Sequence, residues 1–328
     1  MKAVRYHAYG DSDVLVYEEA DRPVAGAGQV VVRVAGTAFN PVDAAIRAGL
    51  VQQVFPVAFP HVPNFDVAGV IAEVGEGARG WSVGDAVVAF LPMTAPGAAA
   101  EYAAAPAEAL AAAPRTGELA DAAALPSAGL AAWQSLFEHA GLEAGQSVLI
   151  NGAGGAVGGY AVQLAAQAGA TVTATASARS LDRVRSYGAD RIVDYTATPL
   201  LQAVAGQRFD VVLNLVPTSP EETAQLVDVV ADGGAFVSTT TPGPEDAGRG
   251  VRTVRAFLHS DAAQLAGLVT RVDAGDLRIE VAERRPLADL AAVHDQAAAG
   301  RLAGKTVLTP ATGSGRAGGG RATAANRG

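Results

Sequence analysis

The residues best placed to do chemistry lie mid-chain, where Val148-Leu149-Ile150-Asn151-Gly152-Ala153-Gly154-Gly155-Ala156-Val157-Gly158-Gly159 runs into an alanine-rich stretch from Tyr160 to Gly169. An apolar strand enters a glycine turn and leaves as a helix. Such a turn brings backbone close to a pyrophosphate, while the helix N-terminus supplies unpaired N–H groups and a positive dipole end. Strict G-x-G-x-x-G spacing is not met from Gly152, because Val157 stands five residues on; the better register is Ala153-x-Gly155-x-x-Gly158, with alanine in the first slot. A dinucleotide is the expected ligand, and the next strand specifies which. An NAD site places Asp or Glu about 20 residues after the glycines to grip the ribose 2′-hydroxyl. Here the strand 171–176 ends instead in Ser177-Ala178-Arg179-Ser180. A hydroxyl and a guanidinium suit a 2′-phosphate, which makes NADPH the expected cofactor, with Ser177 and Arg179 as its contacts. Arg179 also reads as an ordinary solvated arginine at a helix start, with Asp182 close by.

Composition narrows the remaining chemistry. The 328 residues contain no cysteine, which excludes disulfides, thiolate zinc sites, iron–sulfur clusters and cysteine nucleophiles together. A net charge of −9, without any Lys/Arg-rich run beyond scattered arginines such as Arg249, Arg252 and Arg255, argues against a nucleic-acid partner. No stretch approaches the roughly 20 apolar residues of a membrane span, and the start MKAVRYHAYG lacks the features of a signal peptide, so a cytoplasmic protein without a membrane partner is expected.

The elements that must position these groups fall into two textures. Up to about Leu119, short β-rich runs such as 29–34 and 67–74 are broken by Gly, Pro and Asp, which reads as an antiparallel, barrel-like domain. Beyond Asp121, strands at 147–151, 171–176, 191–193, 210–215 and 235–240 alternate with alanine-rich helices, implying βαβ units and a doubly wound parallel sheet. A helix over 262–273, a strand over 278–282, a helix over 287–299 and a strand over 305–308 follow, with this last portion returning to the first domain. The expected division is an α/β fold with residues 1–120 and 278–312 in the barrel-like domain and 121–277 in the dinucleotide-binding domain. The Gly/Arg-rich stretch 313–328 has almost nothing apolar to bury and is expected to be disordered.

Several further segments carry a resemblance: Asn40-Pro41-Val42-Asp43 with Arg47-Ala48-Gly49, Pro63-Asn64-Phe65-Asp66-Val67-Ala68-Gly69-Val70, Val83-Gly84-Asp85, Gly97 through Tyr102, Ala124-Leu125-Pro126-Ser127 through Gln134, and His294 with Gly300 through Lys305. In order and spacing, from Met1 to about Pro310, they resemble the medium-chain dehydrogenase/reductase superfamily, in its zinc-independent, ζ-crystallin-like quinone oxidoreductase branch. The resemblance implies a GroES-like domain joined to a Rossmann domain, an active site in the cleft between them, and a homodimer paired through the Rossmann sheets. It places Asn40 near the nicotinamide ribose and the substrate oxygen, with Asp43 bracing the loop. Asn-Pro-x-Asp reads equally as a helix start. The resemblance also assigns Gly154, Gly155, Ala156 and Val157, together with Ala153, to the pyrophosphate cradle, Tyr195 to the adenosine phosphate, and Leu215, Val216, Thr239 and Thr240 to the ribose and nicotinamide, with Lys305 as a charge at the cleft. Tyr195 and Lys305 have bland readings too, as a strand residue and a surface lysine, and the apolar strand ends as core.

Zinc members of the superfamily use Cys and His ligands and a Gly-His-Glu motif; the comparable segment here is Asn64-Phe65-Asp66, and His61 is read as a loop or pocket-rim residue. Without a Lewis acid, an ordinary ketone lacks support for its developing alkoxide, whereas a quinone or α,β-unsaturated carbonyl spreads the charge over a π-system that hydrogen-bond donors can hold. Two departures bear on the substrate. Leu50-Val51-Gln52-Gln53 stands where relatives carry a tyrosine, and Ala131 replaces a hydroxyl in Gly-Leu-Thr-Ala-Trp. The loop 51–62, with Phe55 and Phe59, is expected to shape an apolar entrance, and at least one of its aromatics to serve local packing. Reduction of a polyketide-type enoyl group and a non-catalytic NADPH-binding role remain alternatives. A short-chain reductase is opposed by the long N-terminal domain and the lack of a Tyr-x-x-x-Lys pair, since Tyr160 and Tyr187 are followed by Leu164 and Arg191.

Overall fold

A computed structural model describes residues 1–311; the expected disorder of 313–328 lies outside the described residues. Six strands form a wholly parallel sheet in the spatial order Arg191–Asp194, Thr171–Ala176, Ser147–Asn151, Phe209–Asn214, Val230–Ser238 and Arg252–Arg255. Numbered along the chain within this sheet, that order is 3-2-1-4-5-6, the doubly wound arrangement whose strand order reverses beside the first strand. Helices cover both faces, so the middle of each central strand is mainly apolar; Val148, Leu149, Ile150, Val172, Val212 and Leu213 are fully buried. The sixth strand was not legible as one. Arg252 and Arg255 are exposed at its ends and only Thr253 and Val254 are half-buried between them, as befits a short charged edge strand.

The second sheet has seven strands. Its path runs Glu283–Pro286, Thr306–Thr309, Gln29–Ala38, Asp66–Val74, Ala86–Phe90, Leu110–Ala112, with Tyr102–Pro106 also paired to Gln29–Ala38. Every pairing is antiparallel except that between Glu283–Pro286 and Thr306–Thr309. The C-terminal strands thus join the N-terminal sheet. The strand expected over 278–282 is displaced to 283–286. Alternating exposure does run through the earlier residues, but the partner strand begins only at Thr306, and the peptide groups of Arg278 are taken by the Gln163 side chain at 2.8 and 3.3 Å.

The two sheets are joined by the helix Pro126–Trp133. Proline at its first turn suits an N–H that would have no partner, and six of its eight residues are buried, so the helix packs on both sides. Its N-terminus is held by the N-terminal sheet, because the Ser127 N–H donates to Asp66 Oδ1 at 2.8 Å.

Candidate active site

The glycine turn closes as its residue types dictate. Gly152 takes φ +97°, a conformation that disfavours any side chain, and its N–H donates to Thr175 Oγ1 on the neighbouring strand at 2.8 Å. The positive φ therefore falls one residue before Ala153, which is buried under the turn. Gly155 is the N-cap of the helix Ala156–Gln167, and no side chain caps it, so the first N–H groups of the helix are available to an anion. Gly158 serves packing: a Cβ there would stand 2.2 Å from Gly152 O and 2.5 Å from Ala153 Cα, both backbone atoms that cannot rotate away. Gly158→Ala is expected to cost about 1–3 kcal/mol by overpacking, read as a lower urea midpoint at unchanged m-value. A midpoint equal to that of the wild type would show that the helix does not press on the turn.

Above the turn lies a groove of about 480 Å³ lined by Gly154, Gly155, Ser177, Arg179, Tyr195, Leu215 and Val216, all expected from the sequence. Thr239 and Thr240, also expected there, do not line it: the Thr240 hydroxyl donates to Val216 O at 2.8 Å, and the Thr239 N–H donates to Asn214 O at 3.1 Å. Ala156 faces an adjoining space together with Lys305, while Val157 packs against the core. No Asp or Glu lines the groove. It has a second cation that sequence reasoning missed: Arg183, four residues beyond Arg179, lines both spaces and donates from Nη2 to Gly154 O at 2.9 Å. Arg179 lies in the turn before the helix Leu181–Ser186 and Arg183 in its first turn, so no local pattern in the sequence pairs them. Open N–H groups, a glycine cradle and two arginines fit a nicotinamide dinucleotide.

Asn40 and Lys305, far apart in sequence, meet at the barrel side. The Asn40 peptide caps the helix Pro41–Arg47, its N–H donating to Asp43 Oδ2 at 2.8 Å. Its side chain reaches the cluster at the same time: Nδ2 donates to Asp66 Oδ2 at 2.9 Å and Oδ1 accepts from Lys305 Nζ at 2.6 Å. The helix-start reading and the site reading of Asn40 thus describe two halves of one residue. Asp66 is fully buried and gathers the cluster, accepting also from Lys305 Nζ at 3.2 Å, from Ser127 Oγ at 2.6 Å and from the Ser127 N–H. Lys305 is a buried ammonium, 4% exposed in its side chain, and not a surface lysine. Asp66 and Ser127 were in view only as parts of the resemblance, since no local pattern brings them together.

The loop 51–62 divides its aromatics as expected. Phe55 lines a cavity of about 580 Å³ with Leu91 and Met93 from the N-terminal sheet and Leu258 from beyond the parallel sheet's edge. Phe59 packs edge-on to Tyr9 and Tyr6, with ring centroids 4.9 and 5.8 Å apart. Leu50, near the position where the resemblance places a tyrosine, is 80% exposed. His61 is no rim residue. It is buried against the edge of the Tyr6 ring, and desolvation pushes its pKa down to about 4.

Among the described residues no group of three or more His, Asp or Glu is arranged to hold a metal ion, and no helix is long and apolar enough to cross a membrane. Comparison with known proteins places these observations. Residues 26–115 match the alcohol dehydrogenase GroES-like domain family, and residues 187–308 match a family described as zinc-binding dehydrogenase. A chloroplast envelope quinone oxidoreductase homolog of Arabidopsis thaliana is 32% identical over 94% of this chain and 98% of its own length. An NADPH-dependent alkenal/one oxidoreductase of the same organism is 37% identical over 73% of this chain and 62% of its own. The solved quinone oxidoreductase of Coxiella burnetii superposes with a TM-score of 0.84 at 27% identity, covering 94% of this chain and 99% of that one.

Proposed function

Because the chain belongs to the medium-chain dehydrogenase/reductase superfamily, in its quinone oxidoreductase branch, we propose that it transfers hydride from NADPH to a quinone or an α,β-unsaturated carbonyl without a catalytic zinc. The observation that carries the cofactor choice is the groove itself, lined by Ser177, Arg179 and Arg183 and by no carboxylate. A ribose 2′-phosphate gains charge-assisted hydrogen bonds there and meets no repelling anion. Bound NADPH supplies the hydride. The helix N-terminus at Gly155 and the turn at Gly154 would hold its pyrophosphate, and Leu215, Val216 and the Thr239–Thr240 pair would flank the ribose and nicotinamide. The family description mentions zinc, but the chain has no cysteine, and the position comparable to the motif's histidine is Phe65.

Without a Lewis acid the acceptor must carry its own charge delocalisation, which favours quinones and conjugated carbonyls over simple ketones. The barrel side contributes Asn40, whose side chain Lys305 and Asp66 fix in one orientation. With both Nδ2 hydrogens directed at Asp66 Oδ2 and Ala38 O, Asn40 would shape the acceptor site as a fixed polar wall and leave the donation to the developing oxygen to another group. The apolar cavity at Phe55, Met93 and Leu258 would take the ring or chain of such an acceptor. The names of relatives support the same two acceptor classes.

The test is a panel of a benzoquinone, a naphthoquinone, an enone, an enal and a simple ketone, each with NADPH and with NADH. Turnover with NADPH confined to quinones or conjugated carbonyls, and unaffected by a chelator, is expected. Ketone reduction lost on chelation would overturn the zinc-free reading, and tight NADPH binding without any turnover would favour a non-catalytic protein.

A further inference from the structure

Behind Asn40 the N-terminal sheet encloses a second polar group that the cofactor groove does not use. Tyr6, Asp43, His61 and Asn64 line a cavity of about 10 Å³, room for the centre of one water. They arrive from separate segments. Tyr6 and His61 exchange backbone hydrogen bonds at 3.0 and 2.9 Å, Asp43 lies in the helix Pro41–Arg47, and Asn64 precedes the strand Asp66–Val74. All four are buried, and neither Tyr6 Oη nor either polar atom of the Asn64 side chain has a protein partner. Buried polar atoms are ordinarily hydrogen-bonded, and three left unpaired around one small cavity point to a bound partner there. Asn64 also holds φ +66°, a left-handed conformation uncommon outside glycine.

Asp43 is the hinge between this cavity and the site. Its Oδ2 accepts from the Asn40 N–H and its Oδ1 from the Asn64 N–H, at 2.8 and 3.2 Å. We propose that the cavity is a hydration site whose single water bridges Asp43, Tyr6 and Asn64, making Asp43 a positioning residue that holds the Asn40 loop against Lys305 from behind. The bridge works with the carboxyl in its neutral form. Burial pushes Asp43 up to about 7; Asp66 acts in the same direction, while Lys305 and the two N–H donors oppose it. The other charges and titrating groups near it are Arg47 at the end of its own helix, Tyr6, whose pKa burial raises, and His61, which burial keeps neutral. A neutral carboxyl keeps lone pairs for both N–H donors but gains an O–H that needs an acceptor. The acceptors without partners beside it, Tyr6 Oη and Asn64 Oδ1, line this cavity.

The inference rests on the proposed reduction only for what Asn40 does, so its tests begin without an acceptor. A high-resolution crystal structure of the wild type is expected to show one ordered water within hydrogen-bonding distance of the Asp43 carboxyl and Tyr6 Oη. Infrared difference titration should show a carboxylic-acid carbonyl band that disappears near pH 7, is absent in Asp43→Asn and shifts in Tyr6→Phe. An empty cavity, or Asp43 ionised from about pH 5 upward, would overturn the proposal. In turnover, Tyr6→Phe is expected to move the pH limb of kcat; a loss of thermal stability with that limb unmoved would mark Tyr6 and the cavity as merely structural. A hydrated, neutral Asp43 in a protein that reduces nothing would leave the hydration site standing and remove the reductase reading instead.

Discussion

Asp66→Ala is expected to destabilise the protein by about 3–5 kcal/mol, the cost of leaving a buried charge without its partner. The Asp66 carboxylate is fully buried and accepts from the Ser127 N–H, Ser127 Oγ, Asn40 Nδ2 and Lys305 Nζ. Its removal leaves the Lys305 ammonium, 4% exposed, with only the neutral Asn40 Oδ1, and orphans the N-terminal N–H of the helix Pro126–Trp133. Equilibrium urea unfolding measures the loss. The double variant Asp66→Ala/Lys305→Met should recover a large part of it, since an apolar replacement of the whole pair avoids the unpaired charge. A single variant within about 1 kcal/mol of the wild type would mean that the pair is hydrated and is not the buried anchor of the cluster described. Cofactor binding should weaken too, because Lys305 also lines the space beside Gly154, Gly155 and Ala156.

Arg179→Ala is expected to weaken NADPH binding by roughly 10- to 100-fold, the equivalent of about 1.5–3 kcal/mol for a hydrogen bond to a charged group, while leaving NADH binding nearly unchanged. Arg179 lines the groove with Ser177, Arg183 and Tyr195 and is exposed, so the effect should shrink as salt rises. Isothermal titration at low and moderate ionic strength with both cofactors separates the cases. Equal losses for NADPH and NADH would show that the arginine supports the turn and not the 2′-phosphate. Arg183→Ala supplies the contrast. Because its guanidinium also holds Gly154 O at 2.9 Å, its loss should weaken both cofactors.

How much of this was legible in the sequence follows from how local each feature is. The glycine turn, its strand and its helix are contiguous, and Ser177 directly follows the next strand, whereas Tyr195 and Leu215, each one residue past a strand end, were in view only through the resemblance. The cluster around Asp66 was not legible in the same way. Its partners Ser127 and Lys305 lie 61 and 239 residues away, and nothing in the neighbourhood of Asp66 records a fold that brings them together. The edge strand Arg252–Arg255 escaped because two exposed arginines flank only two half-buried residues, too short a run to read as a strand. His61 was misplaced for a related reason: a histidine in a proline-rich loop reads as exposed, but its backbone pairs with Tyr6 and draws it inside.

Hydride transfer from a nicotinamide to a conjugated acceptor is measured most directly by the fate of a label. With NADPH deuterated at the transferable position of C4, reduction of an enone should give a saturated carbonyl bearing one deuterium at the former β-carbon, while the proton added at the α-carbon comes from solvent. A product without deuterium, or an enone recovered unchanged beside intact NADPH and a quinone that is likewise not reduced, would contradict it.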